Sequence, residues 1–371
     1  MTRKIDIKAD FRIDRRFLWI GITVVLILLS DCKSSNKISL YKAAGDQFRI
    51  GVAVTSEQLK NHEVVALITE QFNALTAEYE FMPRKLQPEP GIFKFETTDR
   101  IVDFAQKHEL PLTGHMLCWN QMTPQWMFED KDHNPLPREI ALQNLKLHIT
   151  TVMEHFKGKL SSWNVVNEAI SDNPDEYLRD TPALRAIGED YIQKTFEIAN
   201  ETDPDVPLYY NDYNVEDPQK LPKVIRLIRS LKAAGVRLDA VGIQGHWLLS
   251  YPDAKVIDAG IELLGKEVDK VIVTELDVDV LPGDGSNPYK AGIPLKILNQ
   301  QAKRYAELFA VFKKHHNIIP YITFWGIDDS QSWLNNNPTK NRTNYPMLFN
   351  RKLQPKPAYQ VVIDELSKHE Y

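Results

Sequence analysis

Eight short apolar runs alternate along this chain with longer segments of helical periodicity, and no other feature restricts the fold as strongly. Between the runs, segments such as 139–156 and 300–315 carry their apolar residues on one helical face. Strands that alternate with helices pair in parallel, and eight such units can close into a ring. The sequence therefore predicts an α/β protein, a single (β/α)8 TIM barrel, with strands at 48–54, 74–78, 112–118, 162–167, 207–212, 240–245, 270–275 and 320–325.

Polar, acidic and aromatic side chains cluster where these runs end. A strand that only packs a core has no reason to finish with bulky functional groups. In a parallel barrel the carboxyl ends of all strands meet at one face, so we expect these side chains to surround a common cleft. They are His115, Trp119, Asn167, Glu168, Asn211, Asp212, Gln244, His246, Glu275 and Trp325.

Two of these runs deliver a glutamate to that face. The segment W-N-V-V-N-E ends at Glu168, and the segment V-T-E-L-D contains Glu275. A single glutamate is more often a solvated surface group or a helix cap. Two carboxyl groups that face one substrate, however, are the minimum equipment for glycoside hydrolysis.

The composition excludes some partners and fits others. The net charge of -5 argues against a nucleic-acid partner, which needs a basic face. Seven Trp and fourteen Tyr suit a site that stacks sugar rings, although core packing could use most of them. A metal-dependent hydrolase built on His115 and His246 is an alternative, but no H-E-x-x-H or comparable ligand spacing occurs. We therefore expect no metal and no cofactor.

The first 31 residues are predicted to be an export signal. Arg15 and Arg16 precede an apolar run at 17–29 that is too short to span a bilayer as a mature helix. The run leads into L-S-D-C, which resembles a bacterial lipoprotein processing site with an acylated Cys32. We expect an exported protein, an outer-membrane or cell-surface lipoprotein that meets the membrane only through this anchor. Simple secretion, into the medium or the periplasm, and an uncleaved anchor are the alternatives.

Beyond the signal, residues 32–45 are predicted to be a polar linker and residues 46–371 a single catalytic barrel. Loss of residues 1–31 would leave a net charge of -7, because that segment carries six basic and four acidic residues. If Cys32 is acylated, Cys118 is the one remaining thiol and no disulfide can form. Cys118 lies inside an apolar run and is predicted to be a small core residue.

Seven motifs, spread in order over nearly all of residues 46–371, together resemble one known family. They are G-H-M-L-C-W-N-Q-M-T-P-Q-W, W-N-V-V-N-E-A, Y-N-D-Y-N, G-I-Q-G-H, V-T-E-L-D, T-F-W-G-I-D-D-S-Q-S-W and P-K-P-A-Y. The chain is similar to glycoside hydrolase family 10, the retaining endo-1,4-β-xylanases built on the (β/α)8 barrel. Any one motif is weak alone, but seven in order are specific.

The resemblance implies roles for the two glutamates. Glu168 matches the acid/base of the family and Glu275 its nucleophile, with the two carboxyl groups about 5 to 5.5 Å apart. Glu168 must then be protonated, and the negative charge of Glu275 would raise its proton affinity. Glycosylation of Glu275 removes that charge, so Glu168 can lose its proton and activate the incoming water.

The resemblance also implies a shell of substrate-binding residues. Asn167 matches the asparagine that bonds the sugar 2-hydroxyl at the cleavage position, and His246 matches the histidine that orients the nucleophile. The other substrate-binding positions are Glu78, His115, Trp119, Gln244, Trp325 and Trp333. Three further residues are expected behind this shell or on the leaving-group side of the cleft: Tyr210, Asn211 and Asn214. The alternative is that they stabilise turns. Asp328 and Asp329 are expected in loops or caps.

The chain departs from the family pattern on the glycone side, which binds the sugars whose anomeric carbon is attacked. Where the family usually has E-N-x-M-K-W, residues 78–83 read E-Y-E-F-M-P, so Tyr79 and Met82 replace an asparagine and a lysine. After Trp119 the usual H-S-Q is replaced by Asn120, Gln121 and Met122. The family's polar groups there bond sugar hydroxyls, and hydroxyls buried without partners are costly. Xylan as the substrate is thus less firmly predicted than β-glycoside hydrolysis as the reaction. The alternative explanation of these replacements is neutral drift or a local misalignment.

The sequence as a whole predicts an enzyme, a retaining endo-acting β-glycoside hydrolase. The expected substrate is a polysaccharide, and endo-1,4-β-xylanase activity on xylan fits best. One alternative is the same mechanism on another β-linked glycan. The other is a non-catalytic glycan-binding surface lipoprotein, which Glu168 and Glu275 argue against because binding alone needs no carboxylate pair.

Overall fold

The computed structural model describes residues 38–368. The chain divides into two units, residues 1–38 and 39–371, and the fold belongs to the second. The predicted signal and Cys32 lie outside the described residues. Within residues 38–368, no helix is long and apolar enough to cross a membrane.

Eight parallel strands form a closed barrel, which confirms the predicted fold class. Each barrel strand pairs with the next one along the chain, and the last pairs with the first. One additional strand of three residues, His246–Leu248, pairs only with the strand Lys270–Asp279, at the barrel mouth. The strands are β1 (Arg49–Val54), β2 (Ala74–Ala77), β3 (Leu112–Trp119), β4 (Ser162–Asn167), β5 (Leu208–Asp212), β6 (Ala240–Ile243), the extra strand β7 (His246–Leu248), β8 (Lys270–Asp279) and β9 (Tyr321–Phe324).

Helices alternate with these strands and bury their apolar faces. The predicted face of the 139–156 segment is buried, because Leu145, Ile149, Val152, Met153 and Phe156 all belong to the core. The helices are α1 (Leu40–Ala44), α2 (His62–Gln71), α3 (Pro83–Leu86), α4 (Glu96–Lys107), α5 (Arg138–Phe156), α6 (Pro182–Ile187), α7 (Tyr191–Thr202), α8 (Leu221–Ala233), α9 (Ala254–Gly265), α10 (Leu295–Lys314) and α11 (Pro357–Leu366).

Several strand ends shift by one or two residues from the sequence prediction, and three differences are larger. Residues 40–44, assigned to the linker, form helix α1, whose Leu40 and Ala44 are fully buried against the barrel core. Helix α10 begins five residues earlier than predicted, directly after Pro294. Strand β8 continues past Glu275 to Asp279, because β7 supplies a hydrogen-bonding partner there.

Close packing between two neighbouring strands depends on a glycine. Gly114 of β3 lies opposite Trp163 of β4 in the parallel register. A Cβ atom at position 114 would lie 2.3 Å from the indole ring of Trp163, which is buried between β4 and the surrounding helices. Only glycine therefore lets the tryptophan fill this space.

We expect Gly114→Ala to lower the free energy of unfolding by about 1–3 kcal/mol, because the added methyl group forces the Trp163 ring to move within a close-packed core. Urea denaturation measures the effect. The control is Gly283→Ala, where a Cβ atom meets nothing within 4 Å and the backbone needs no left-handed conformation. Equal stability of the two variants would contradict this packing account.

Candidate active site

Both glutamates and all eight predicted substrate-binding residues line one cleft at the carboxyl ends of the strands. The cleft has a volume of about 480 Å³. Asn214 also lines it, whereas Tyr210 and Asn211 lie fully buried beneath its floor. The structure thus brings together residues from strands that are widely separated in sequence: Glu78, His115, Trp119, Asn167, Glu168, Gln244, His246, Glu275, Trp325 and Trp333.

The Glu275 carboxyl group is buried but surrounded by hydrogen-bond donors. Asn211 Nδ2 donates to its Oε1 at 2.8 Å, and His246 Nε2 lies 3.1 Å from its Oε2. Burial alone would raise the pKa of this carboxyl group. The hydrogen bond from His246, the charges of His115 and His246 and the hydrogen bond from Asn211 together outweigh burial and lower the pKa below its ordinary value. Glu275 is therefore ionised at neutral pH.

His246 is held between two carboxylates. Its Nδ1 lies 3.0 Å from Asp277 Oδ2, on the side opposite Glu275. Burial would lower the pKa of the imidazole, but the charges and hydrogen bonds of Asp277 and Glu275 raise it to about 10. The protonated ring donates through Nε2 to Glu275, while its charge is paired with Asp277 on the other side, so it fixes the Glu275 carboxylate in position. Trp333 Nε1 also donates to Asp277 Oδ2 at 2.8 Å and ties this group to the cleft wall.

The Glu168 carboxyl group is in the opposite electrostatic situation. Gln244 Nε2 donates to Oε1 at 3.0 Å and Trp119 Nε1 donates to Oε2 at 2.9 Å. Both bonds are to neutral donors. Burial dominates and raises the pKa of Glu168 above its ordinary value, and the charges of Asp212 and Glu275 act in the same direction, as expected for Glu275.

The backbone at Glu168 adopts a left-handed conformation that aims the side chain into the cleft. Its φ is +56°, which is uncommon for a residue other than glycine. The Tyr210 hydroxyl accepts hydrogen bonds from the Ala169 and Ile170 amides at 3.0 and 3.2 Å, and Arg179 Nε donates to the Glu168 carbonyl at 3.1 Å. These buried partners hold the turn in place.

A chain of amide groups connects the two carboxyl groups. Asn211 Nδ2 donates to the Asn167 Oδ1 atom at 2.8 Å as well as to Glu275. Asn167 Nδ2 in turn lies 3.2 Å from Glu168 Oε1. Because an amide group is rigid and planar, this chain fixes the relative positions of Glu168 and Glu275 across the cleft floor.

Three residues that depart from the family pattern line the cleft together with Glu78: Tyr79, Met82 and Gln121. Burial raises the pKa of the Glu78 carboxyl group to about 7, and the charges of Glu80 and Glu275 act in the same direction. Glu78 therefore changes between hydrogen-bond donor and acceptor near neutral pH.

The structure adds three residues that the sequence analysis did not single out. Tyr213 and Asn337 line the cleft, and Asp277 contacts His246. The sequence could have identified Asp277, because it stands two residues after Glu275 on the same strand and therefore on the same face. Tyr213 and Asn337 come from loops, whose conformation carries no periodic sequence signal.

Within residues 38–368, no group of three or more His, Cys, Asp and Glu side chains is arranged to hold a metal ion. The two histidines of the cleft instead contact Glu275, with His115 Nε2 at 3.9 Å from its Oε1. Burial lowers the pKa of His115, so its ring is neutral at neutral pH.

Known proteins match this chain over almost its whole folded part. A beta-1,4-xylanase of Dictyoglomus thermophilum is 36% identical, covering 95% of this chain and 99% of the relative. An endo-1,4-beta-xylanase B of Paenibacillus barcinonensis is 37% identical over 88% of this chain and 98% of the relative. The crystal structure of xylanase XynB from Paenibacillus barcinonensis, complexed with a conduramine derivative, aligns with a TM-score of 0.85 and 37% identity, covering 89% and 99% of the two chains.

The family model described as glycosyl hydrolase family 10 matches residues 39–365. The match begins at helix α1, in agreement with the burial of Leu40 in the core. With the cleft geometry and the full-length relatives, this match confirms the resemblance seen in the motifs. The chain therefore belongs to glycosyl hydrolase family 10.

Proposed function

We propose that this protein is a retaining endo-1,4-β-xylanase, with Glu168 as the acid/base and Glu275 as the nucleophile. The observation that carries this proposal is the contrast between the two carboxyl groups of one cleft. The Glu168 pKa is raised and the Glu275 pKa is lowered, so at neutral pH one group can donate a proton while the other can attack.

In the first step Glu275 attacks the anomeric carbon of the bound sugar. The bond between that carbon and the leaving oxygen breaks, and Glu168 transfers its proton to the oxygen. This yields a covalent glycosyl-enzyme ester on Glu275 and a free sugar end. The Asn211 and His246 hydrogen bonds position the attacking carboxylate.

In the second step a water molecule attacks the same carbon. Glu168, now ionised, removes a proton from the water while the bond to Glu275 breaks. Two displacements at one carbon retain its configuration. Esterification of Glu275 removes a negative charge that contributes to the raised pKa of Glu168, which favours this change of role.

The other cleft residues bind the sugar chain. Asn167 donates to Glu168 and is linked to Glu275 through Asn211, and its amide bonds the 2-hydroxyl of the reacting sugar. Trp325 and Trp333 form aromatic walls of the same cleft. An open cleft with aromatic walls accepts an internal stretch of a polymer, which is what endo-cleavage requires.

A second candidate is the same chemistry on a different β-linked glycan. The observation that favours it is the wall of Tyr79 and Met82, where a phenol ring and a thioether face the substrate beside Glu78. An apolar thioether cannot bond a sugar hydroxyl, so this wall discriminates less strictly among sugars than a lysine would.

We further propose that Cys32 is acylated and anchors the exported enzyme to a membrane. The motif L-S-D-C after the apolar run supports this proposal. We expect the protein expressed from the complete sequence to fractionate with membranes and to carry a lipid on Cys32, and the Cys32→Ser variant to carry none. A processed, soluble wild-type protein without lipid would instead indicate simple secretion and would contradict the anchor.

We expect the wild-type protein to release reducing sugars from xylan. The Glu275→Ala substitution should reduce kcat roughly 10⁴-fold or more, because the nucleophile is removed. The assay is run on linear xylan, branched xylans and other β-glycans. A matched control is Glu216→Gln, a buried glutamate outside the cleft that bonds Trp247. Xylan binding without hydrolysis by the wild type would contradict the proposal and favour a non-catalytic glycan-binding protein.

We expect Asp277→Asn to move the alkaline limb of the kcat/KM profile to lower pH by roughly one unit. Asp277 and Glu275 raise the pKa of His246 to about 10, and loss of the Asp277 charge lowers it. The ring then loses its proton at a lower pH, and a neutral His246 holds the Glu275 carboxylate less firmly. The acidic limb should hardly move, because His246 is protonated there in both proteins.

The control for this shift is Asp279→Asn on the same strand, which bonds Asn344 instead. It should leave both limbs in place. If Asp277→Asn lowers kcat/KM equally at every pH, Asp277 acts only on the structure and the electrostatic role is wrong.

A further inference from the structure

A buried asparagine beneath the cleft, Asn164 on β4, has no part in the proposed mechanism. Its side chain is fully buried. Its Nδ2 atom lies 3.2 Å from His115 Nδ1 and 3.1 Å from Asn167 Oδ1, so one amide group contacts two residues of the cleft floor. The direction of these hydrogen bonds decides which nitrogen of His115 carries the proton.

The orientation of three amide groups follows from the Glu275 carboxylate. An ionised carboxylate only accepts hydrogen bonds, so Asn211 must present its NH2 group to Glu275 at 2.8 Å. The second hydrogen of that NH2 group points to Asn167 at 2.8 Å, and Asn167 must present its oxygen there. The same oxygen faces Asn164, which therefore presents its own NH2 group.

The reversed orientation of the Asn164 amide is unfavourable on both of its sides. Its oxygen would then face the Asn167 oxygen across the 3.1 Å contact, where neither atom can donate. The place now held by Asn164 Oδ1 offers no hydrogen-bond partner in the part of the chain that the structure describes. Reversal would therefore lose both hydrogen bonds and leave a buried NH2 group unpaired, which is costly.

His115 must then accept the hydrogen bond from Asn164 at Nδ1. A nitrogen that accepts a hydrogen bond carries no hydrogen of its own, so the hydrogen of a neutral ring lies on Nε2. Nε2 is the nitrogen that faces Glu275, at 3.9 Å from its Oε1. The ionised nucleophile thus sets the tautomer of His115 through Asn211, Asn167 and Asn164.

The surroundings of His115 agree with a neutral ring. Burial has the largest effect and lowers the pKa of His115. Glu275 on β8 favours a second proton, whereas the positive charge of His246 on β7 opposes it. Trp325 packs its uncharged ring edge-on against the imidazole, with 5.1 Å between the ring centroids.

The two histidines beside Glu275 differ in the partner on their far side. His246 lies 3.1 Å from Glu275 Oε2, and its Nδ1 lies 3.0 Å from the Asp277 carboxylate, an acceptor that favours a hydrogen on Nδ1. His115 has the NH2 group of Asn164 in the corresponding place, a donor that opposes a hydrogen on Nδ1. One histidine is therefore cationic and the other neutral, although both face the same carboxylate.

We propose that Asn164 is a positioning residue that keeps His115 neutral with its hydrogen on Nε2, so that the nucleophile has one cationic neighbour at neutral pH. The Nε2–H group can donate to a sugar hydroxyl in the cleft without adding positive charge beside Glu275. A second positive charge there would stabilise the carboxylate and make it a weaker nucleophile. This catalytic consequence rests on the proposed function, because it takes Glu275 as the attacking group, whereas the tautomer does not.

The first test is nitrogen NMR of the protein isotopically labelled in its histidine rings, which distinguishes a protonated ring nitrogen from an unprotonated one. The signals of His115 are identified by their loss in His115→Gln. At neutral pH the wild type should show a hydrogen on His115 Nε2 and none on Nδ1. A hydrogen on Nδ1, with or without one on Nε2, would overturn the inference. This result does not depend on the folding of any Asn164 variant.

The second test compares two substitutions that both remove the hydrogen bond to Asn167. Asn164→Asp replaces the donor with a carboxylate of nearly the same shape, so His115 should gain a hydrogen on Nδ1. Asn164→Leu supplies neither donor nor acceptor, so His115 should stay neutral. On xylan, kcat/KM of Asn164→Asp should be about tenfold below that of Asn164→Leu, because a cationic His115 weakens the nucleophile.

An unchanged His115 in Asn164→Asp would overturn the inference. Equal kcat/KM in the two variants, with His115 cationic in one of them, would overturn its catalytic part.

His148 on helix α5 provides an internal control in each spectrum. It is fully buried, does not line the cleft, and has its Nδ1 3.0 Å from Gln87 Oε1. Its signals should be the same in the wild type and in the variants. A shift of these signals would show a rearranged core, and the wild-type tautomer alone would then decide the inference. Failure of the wild type on every xylan would instead refute the proposed function, and the tautomer of His115 would still test the role of Asn164.

Discussion

The hydrogen bond between protonated His246 and Glu275 is the interaction on which the rest of the site depends. A carboxyl group as buried as Glu275 would ordinarily take up a proton. His246, itself kept charged by Asp277, reverses that tendency. Burial raises the pKa of Glu168, which faces the same cleft with only neutral donors that do not outweigh burial. The two buried glutamates therefore differ in pKa because of their hydrogen-bond partners, and this difference underlies the proposed roles of nucleophile and acid.

The barrel makes this contrast possible by fixing distant segments against each other. Asn211 on β5 bonds Glu275 on β8 and Asn167 on β4, so three strands share one amide group. The left-handed backbone at Glu168 is held by the Tyr210 hydroxyl, which donates to the buried Asp212. Asp212 is in turn paired with buried Lys220 at 2.8 Å. A rigid scaffold of this kind positions catalytic groups before the substrate arrives.

The sequence predicted the barrel and the ten residues of the cleft because both leave periodic or positional signals. Apolar runs mark strands, and functional groups at their ends mark the mouth of a barrel. It did not predict helix α1, since five residues between polar segments carry too short a pattern. It also missed Tyr213 and Asn337, which reach the cleft from loops. It predicted the direction in which Glu275 shifts the pKa of Glu168 but not the larger effect of burial, because burial cannot be read from a motif.

The central claim is that Glu275 forms a covalent bond to the anomeric carbon and Glu168 serves both steps. The most direct measurement follows, by proton NMR, the anomeric configuration of the sugar ends released in the first minutes of xylan hydrolysis, before mutarotation. The account predicts that the β-anomer appears first, because two displacements retain the configuration. Initial release of the α-anomer would mean that water attacks directly, and it would contradict the account.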